Sequence, residues 1–137
     1  MGLDVRLEMD GQGVLFTFCE VLRGEEIYAA SEALYTPESL SRLRYQLVDL
    51  TQVSRIEIST DQIQALAALD CQAAEQAGGF LVASVVGHDL QESISQFYRA
   101  YISHPDIEAK IFRTLHAARF WLQQKLSCSD VETVEGF

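Results

Sequence analysis

Two short apolar runs constrain this chain more than anything else in it. Tyr45 to Leu50 is nearly continuous at Leu47, Val48 and Leu50, and Phe80 to Val86 carries Val82, Val85 and Val86. A strand that is apolar on both sides must be covered on both sides, which is the position of a central strand in a parallel or mixed sheet. Between the two runs lies a helical pattern of about 17 residues, opened by capping oxygens and closed by glycine. Ser59-Thr60-Asp61 supplies the oxygens, Gly78-Gly79 the stop, and Ile63, Leu66, Ala67, Asp70, Ala74 and Ala77 form its inward stripe. Strand, helix and strand in that order require a crossover, and crossovers of this kind are right-handed.

The flanking segments extend the pattern. Leu3, Val5, Leu7 and Met9 alternate with polar residues, which predicts a half-buried strand. Asp10-Gly11 suits a tight turn into a second strand from Val14 to Val21, with Phe16 and Phe18. Gly24 closes that strand. Glu25, Glu26 and the alanines up to Leu34 predict a short helix with acids at its positive end. Thr36-Pro37 starts a brief helical turn through Leu43. Thr51 to Ile58 follows the Tyr45–Leu50 strand, with a short extended piece expected at Ile56 and Ile58. After Gly87, His88-Asp89 opens a helix whose Leu90, Ile94, Phe97, Tyr98 and Tyr101 share a face. Pro105 stops it, Ala109 to Phe112 is a last strand, and Thr114 caps a final helix with Leu115, Ala118, Trp121, Leu122 and Leu126 inward. The polar, acidic stretch 127–137 reads as a flexible tail.

The resulting order is β-β-α-β-α-β-α-β-α. It predicts an α/β fold: an open mixed sheet with an N-terminal β-hairpin and helices packed mainly on one face. A length of 137 residues suits a single domain over 1–137.

Charge narrows the function. Ten basic residues stand against twenty acidic ones, for a net charge of -10, and the basic residues form no stripe. Nucleic acids and anionic lipid surfaces are recognised by clustered Lys and Arg, so neither is an expected partner. No apolar run approaches the roughly 18 residues of a membrane span, and the N-terminus lacks the basic and apolar regions of a signal peptide. Cys19, Cys71 and Cys128 include no Cys-x-x-Cys pair, so free thiols in a reducing cytoplasm are expected. His88, His104 and His116 lack metal-ligand spacing, and Gly78-Gly79 precedes a strand rather than a helix, so it is no phosphate loop. No metal or cofactor is expected.

Three local motifs carry a family likeness. They are Leu47-Val48-Asp49-Leu50-Thr51-Gln52-Val53, then Phe80 to Val86 after the long helix, then Ile111-Phe112-Arg113 followed by Ala117-Ala118 and Trp121-Leu122. In order and spacing, from about Leu3 to Lys125, the chain resembles the SpoIIAA-like, STAS-type family of bacterial domains. Within that family it is most similar to the uncharacterised branch. The resemblance implies a protein-binding switch or a small-ligand module, often without catalysis. In the anti-sigma-factor-antagonist branch a serine at the start of the second long helix is phosphorylated, and Ser59 is the matching position. Ile58-Ser59-Thr60-Asp61 stands where that branch has an Asp-Ser pair, and the glycine that commonly follows is missing.

The candidate binding residues fall in two groups. Asp49, Thr51, Ser59, His88 and Asp89 are expected near strand ends, where open α/β sheets gather ligands. Phe97, Tyr98, Tyr101 and Trp121, with Phe112 and Phe120, form an aromatic set suited to an apolar cavity or an interface. Nothing resembles a nucleophile elbow. The expectation is a non-enzymatic binding or regulatory homodimer for a protein partner or small apolar ligand. The alternatives are a small enzyme using His88, Asp49 and Asp89 for acid–base work, and a structural assembly module.

Overall fold

The strands lie side by side in the order in which they occur in the chain. The computed structural model describes residues 2–135, with side chains described as far as Ser127. The elements are β1 (Leu3–Glu8), β2 (Gly13–Arg23), α1 (Gly24–Leu34), α2 (Pro37–Leu40), β3 (Tyr45–Glu57), α3 (Thr60–Ala77), β4 (Phe80–Val85), α4 (Asp89–Tyr101), β5 (Ile107–Phe112) and α5 (Leu115–Glu135). One sheet runs β1-β2-β3-β4-β5. β1 and β2 form the antiparallel hairpin, turning through Met9–Gly11, and every later neighbour is parallel. The α/β class, the mixed sheet and the hairpin are as the sequence predicts.

This order explains where the helices go. Right-handed crossovers that always step the same way across a sheet place their helices on one face. That face buries Phe16, Phe18 and Leu22 of β2, Leu50 and Val53 of β3, and Val82 of β4 beneath helices that include Ala73 and Ala74 of α3. The final helix connects nothing and is free of that rule. α5 packs alone on the opposite face, where Ala118 and Leu122 meet Leu47, Ala83 and Val85. Gly13 matters on this side: a Cβ there would lie 2.0 Å from the Tyr45 ring. The ring crosses it, and Tyr45 Oη donates to Glu8 Oε1 at 2.5 Å, while Arg119 of α5 donates to both Glu8 oxygens at 3.1 and 2.8 Å.

Three expectations change. β3 does not stop at Leu50; it runs unbroken for 13 residues to Glu57 because the 11 residues of β2 pair with it from end to end, across two register shifts at Thr17/Cys19 and Glu20/Val21. β1 is not half-buried in the ordinary way. It is an edge strand, and its Val5 and Leu7 are 45% and 63% exposed, as is Met9 of the turn at 60%. The expected apolar face of α4 is split, with Leu90, Phe97 and Tyr101 turned outward, as described below. The last helix passes Ser127 and is helical in backbone to Glu135. The last two residues, 136 and 137, lie outside the described residues, as does the side chain of Cys128.

Candidate functional site

The inward stripe of α3 is alanine, leucine and isoleucine except at one position. Asp70 is 4% exposed, and a carboxylate taken that far from water needs donors. Two tyrosines supply them. Tyr35, just after α1, donates to Asp70 Oδ1 at 2.6 Å, and Tyr98 of α4 donates to Oδ2. Gln46 Nε2 of β3 donates in turn to the Tyr35 hydroxyl at 2.5 Å. The cluster joins the end of α1, the sheet, α3 and α4 in one polar chain.

Burial dominates the electrostatics. It pushes the Asp70 carboxyl up to about 6, against the opposing effect of the two hydroxyl donors. Burial and the neighbouring Asp70 charge raise both Tyr35 and Tyr98 above the ordinary phenol range, so both keep their protons.

Beside this cluster is a cavity of about 60 Å³ between the helices and the sheet. Its walls are mostly apolar, with Phe16, Val48, Leu66, Val82 and Ile94 among them, and Ser31, Ser84, Ser95, Asp70 and Tyr98 add polar atoms. Among the described residues no Lys, Arg or His lines it. Ser95 Oγ is buried with no hydrogen-bond partner among the described residues. A buried hydroxyl left unpaired costs about 1–3 kcal/mol, and one water needs about 10–15 Å³ on the same measure of volume. The space therefore suits a small molecule of few heavy atoms, or a few waters.

α4 roofs this cavity with an inverted face. Gln91 and Ser95 are its buried residues, and Tyr98 reaches Asp70 from the same side. Gln91 pins the helix start: its Nε2 donates to Val53 O at 2.7 Å, and its Oε1 accepts from Gly87 N at 2.6 Å. Leu90, Phe97 and Tyr101 point away, 54%, 53% and 37% exposed. Helical spacing put Leu90, Ile94, Phe97, Tyr98 and Tyr101 on one face; only Ile94 and Tyr98 of that set line the cavity, because Asp70 and Val53 O accept from Tyr98 and Gln91 on the inward side.

The other expected site residues do not converge. Asp49 is held locally, its Oδ1 accepting from Thr51 N at 3.0 Å and Thr51 Oγ1 at 2.7 Å. His88 Nε2 lies 3.4 Å from Val53 O, and Asp89 pairs with Arg113 at 3.2 Å. Thus Asp49, His88 and Asp89 each have a different partner. Trp121 packs on Phe112 with ring centroids 5.5 Å apart, on the α5 face of the sheet. The aromatic set is therefore divided by the sheet itself, with Tyr98 on one side and Trp121 on the other.

Ser59 caps α3. Gln62 N donates to Ser59 Oγ at 3.1 Å, and Ser59 N donates to Gln62 Oε1 at 2.9 Å, a reciprocal capping box. Ser59→Ala removes one of these bonds and should lower unfolding stability by about 1 kcal/mol; Ser59→Asp, which keeps a capping oxygen, should lose much less. Urea unfolding monitored by circular dichroism checks both.

Strand-end sites form where the strand order reverses and two connections leave in opposite directions. Here the order never reverses, so no such crevice opens. The cavity lies under the connecting helices instead. Asp70 was visible in the sequence as the one charged residue in an otherwise apolar stripe, but its tyrosine partners are separated from it by 35 and 28 positions.

Comparison with solved structures agrees on the architecture. The chain is similar to the anti-sigma factor antagonist SpoIIAA in its unphosphorylated form, with a TM-score of 0.60 and 9% identity over 89% of this chain and 96% of that one. It is also similar to an uncharacterised protein of the DUF3478 family with a SpoIIAA-like fold from Shewanella loihica PV-4. That TM-score is 0.51, with 21% identity over 88% of this chain and 91% of that one. No protein-family profile matches the sequence, and no curated protein does. The chain thus has the SpoIIAA-like fold that its motifs imply, and among the described residues no helix is long and apolar enough to cross a membrane.

Proposed function

We propose that this chain is a non-enzymatic binding and regulatory domain that takes a small, uncharged, mainly apolar ligand beneath α4. The observation that carries the reading is the unpaired, buried Ser95 hydroxyl on the wall of the cavity beside Asp70. An apolar body would replace water against Phe16, Leu66 and Val82, and one polar atom would pair with Ser95 Oγ. An anion would meet the Asp70 carboxylate, and the carboxylate oxygens already accept from Tyr35 and Tyr98, which favours a neutral ligand. The serine hydroxyls on the wall have no His, Lys or Arg beside them among the described residues, and the Asp70 oxygens already accept from two tyrosines, an arrangement poorly equipped to activate a nucleophile.

Protein recognition is the second part of the reading. The exposed Leu90, Phe97 and Tyr101 offer a partner an apolar strip on the same helix that roofs the cavity. A ligand that shifts α4 changes both together. Short alcohols and phenols, titrated into labelled protein and followed by amide NMR shifts, test the ligand site. Shifts should cluster at Ser95, Tyr98 and Leu66, and they should vanish in Ser95→Leu, whose side chain fills the space. Shifts scattered over the surface, or equal in the two proteins, would overturn the cavity as the site.

A further inference from the structure

The edge strand β1 carries a self-complementary pattern that is independent of the cavity. Its sequence from Leu3 to Leu7 is Leu-Asp-Val-Arg-Leu, a palindrome of chemical type centred on Val5. Unprotected edges invite pairing with another chain, and proteins commonly block them with charged side chains or proline. β1 holds no proline, and its charges Asp4 and Arg6 are of opposite sign at mirror positions: they pair with each other at 3.0 Å within the strand and match equally across a two-fold axis.

Backbone direction agrees with the pattern. The Gly2 carbonyl accepts from Cys19 N at 2.6 Å, so it points toward β2. Backbone groups alternate in side along a strand. The even residues Asp4 and Arg6 therefore direct their amides and carbonyls at β2, and Leu3, Val5 and Leu7 direct theirs outward. The side chains of Leu3, Val5 and Leu7 share the face of their β2 partners Phe18, Phe16 and Val14. Val5 and Leu7 are the exposed ones. Asp4 and Arg6 project from the opposite face, 59% and 74% exposed.

We propose that β1 pairs antiparallel with β1 of a second copy of this chain, with Val5 on the two-fold axis. In this register Val5 exchanges backbone hydrogen bonds with the partner's Val5, and Leu3 does so with the partner's Leu7. Asp4 then stands opposite the partner's Arg6 at non-hydrogen-bonded positions, where side chains approach most closely. Both ends carry the same salt pair, as an isologous interface requires. The apolar side chains of Val5 and Leu7 continue as one row across the axis, and the two sheets become one.

The test uses the full chain and sedimentation equilibrium, with circular dichroism to verify folding. The wild type should have twice the chain mass. Val5→Pro should be monomeric yet folded, because its lost amide faces away from β2 and proline is tolerated at an outward-facing edge position. Asp4→Arg places cations opposite each other, and Arg6→Asp places anions opposite each other, so each variant alone should dissociate. An equimolar mixture of these two variants pairs opposite charges at both contacts and should form a heterodimer. A monomeric wild type would overturn the proposal. So would a folded Val5→Pro dimer, or a mixture that associates no better than its components.

Discussion

Phe18→Ala will leave this protein close to the edge of unfolding. Phe18 is fully buried in the middle of β2, with its ring 6.4 Å from that of Phe16. It also faces Leu3 across the hairpin. Truncating a buried phenylalanine removes apolar surface and leaves a cavity, together worth about 3–5 kcal/mol. Whole domains are stable by only about 5–15 kcal/mol. Urea denaturation should show the midpoint falling by about a fifth or more, with the slope of the transition unchanged. Relaxation of the site is opposed from both sides, since β1 and β3 flank this strand. A loss below about 1 kcal/mol, the range of surface substitutions and small packing adjustments, would show that β2 is not the spine of the core.

The second large effect is a dependence on pH that acid-stable packing alone would not produce. Asp70 has its carboxyl raised from 3.8 to about 6 by burial. Between those values the folded protein holds a proton that the unfolded chain has released. Stability linked to this group is therefore greatest below about pH 4 and falls as the pH rises through about 6. At about 1.4 kcal/mol for each pH unit between the two values, the change is about 3 kcal/mol. Glu8 acts in the opposite sense. Its hydrogen bond to Arg119 holds its carboxyl below the usual range, so its contribution is lost as the pH falls. Other carboxylates also titrate, and comparison with Asp70→Asn removes all that the two proteins share. Unfolding free energies measured across this window should show the wild type gaining about 3 kcal/mol on Asp70→Asn as the pH falls. Parallel profiles for the two proteins would sink the assignment. The same protonation acts on α4, because Tyr98 is bonded to the group that titrates.

The two results bear on different parts of the molecule. Phe18 reports the core that makes the fold possible. Asp70 reports a polar cluster that an all-apolar core would not need, since a buried carboxylate is a poor source of stability by itself. Its presence beside the cavity and the unpaired Ser95 is the basis of the binding role proposed above.

Elements with strong periodicity were legible from sequence. The hairpin, the central strand at Leu47, the helix from Ser59 to Gly78 and the mixed α/β order all follow from local rules: alternation, capping oxygens, a left-handed glycine at φ 81°. Those rules act between residues a few positions apart, so one chain is enough to read them. Other features depend on what each face meets after folding. The length of β3 was set by its pairing with β2, and the outward turn of Leu90, Phe97 and Tyr101 by the polar demands of Asp70 and Val53. The split of the aromatic residues was set by α5 crossing to the far face. A sequence shows which side chains share a stripe; only the folded neighbours decide whether that stripe faces the core or the solvent, because the gain from burying it depends on the surface waiting there.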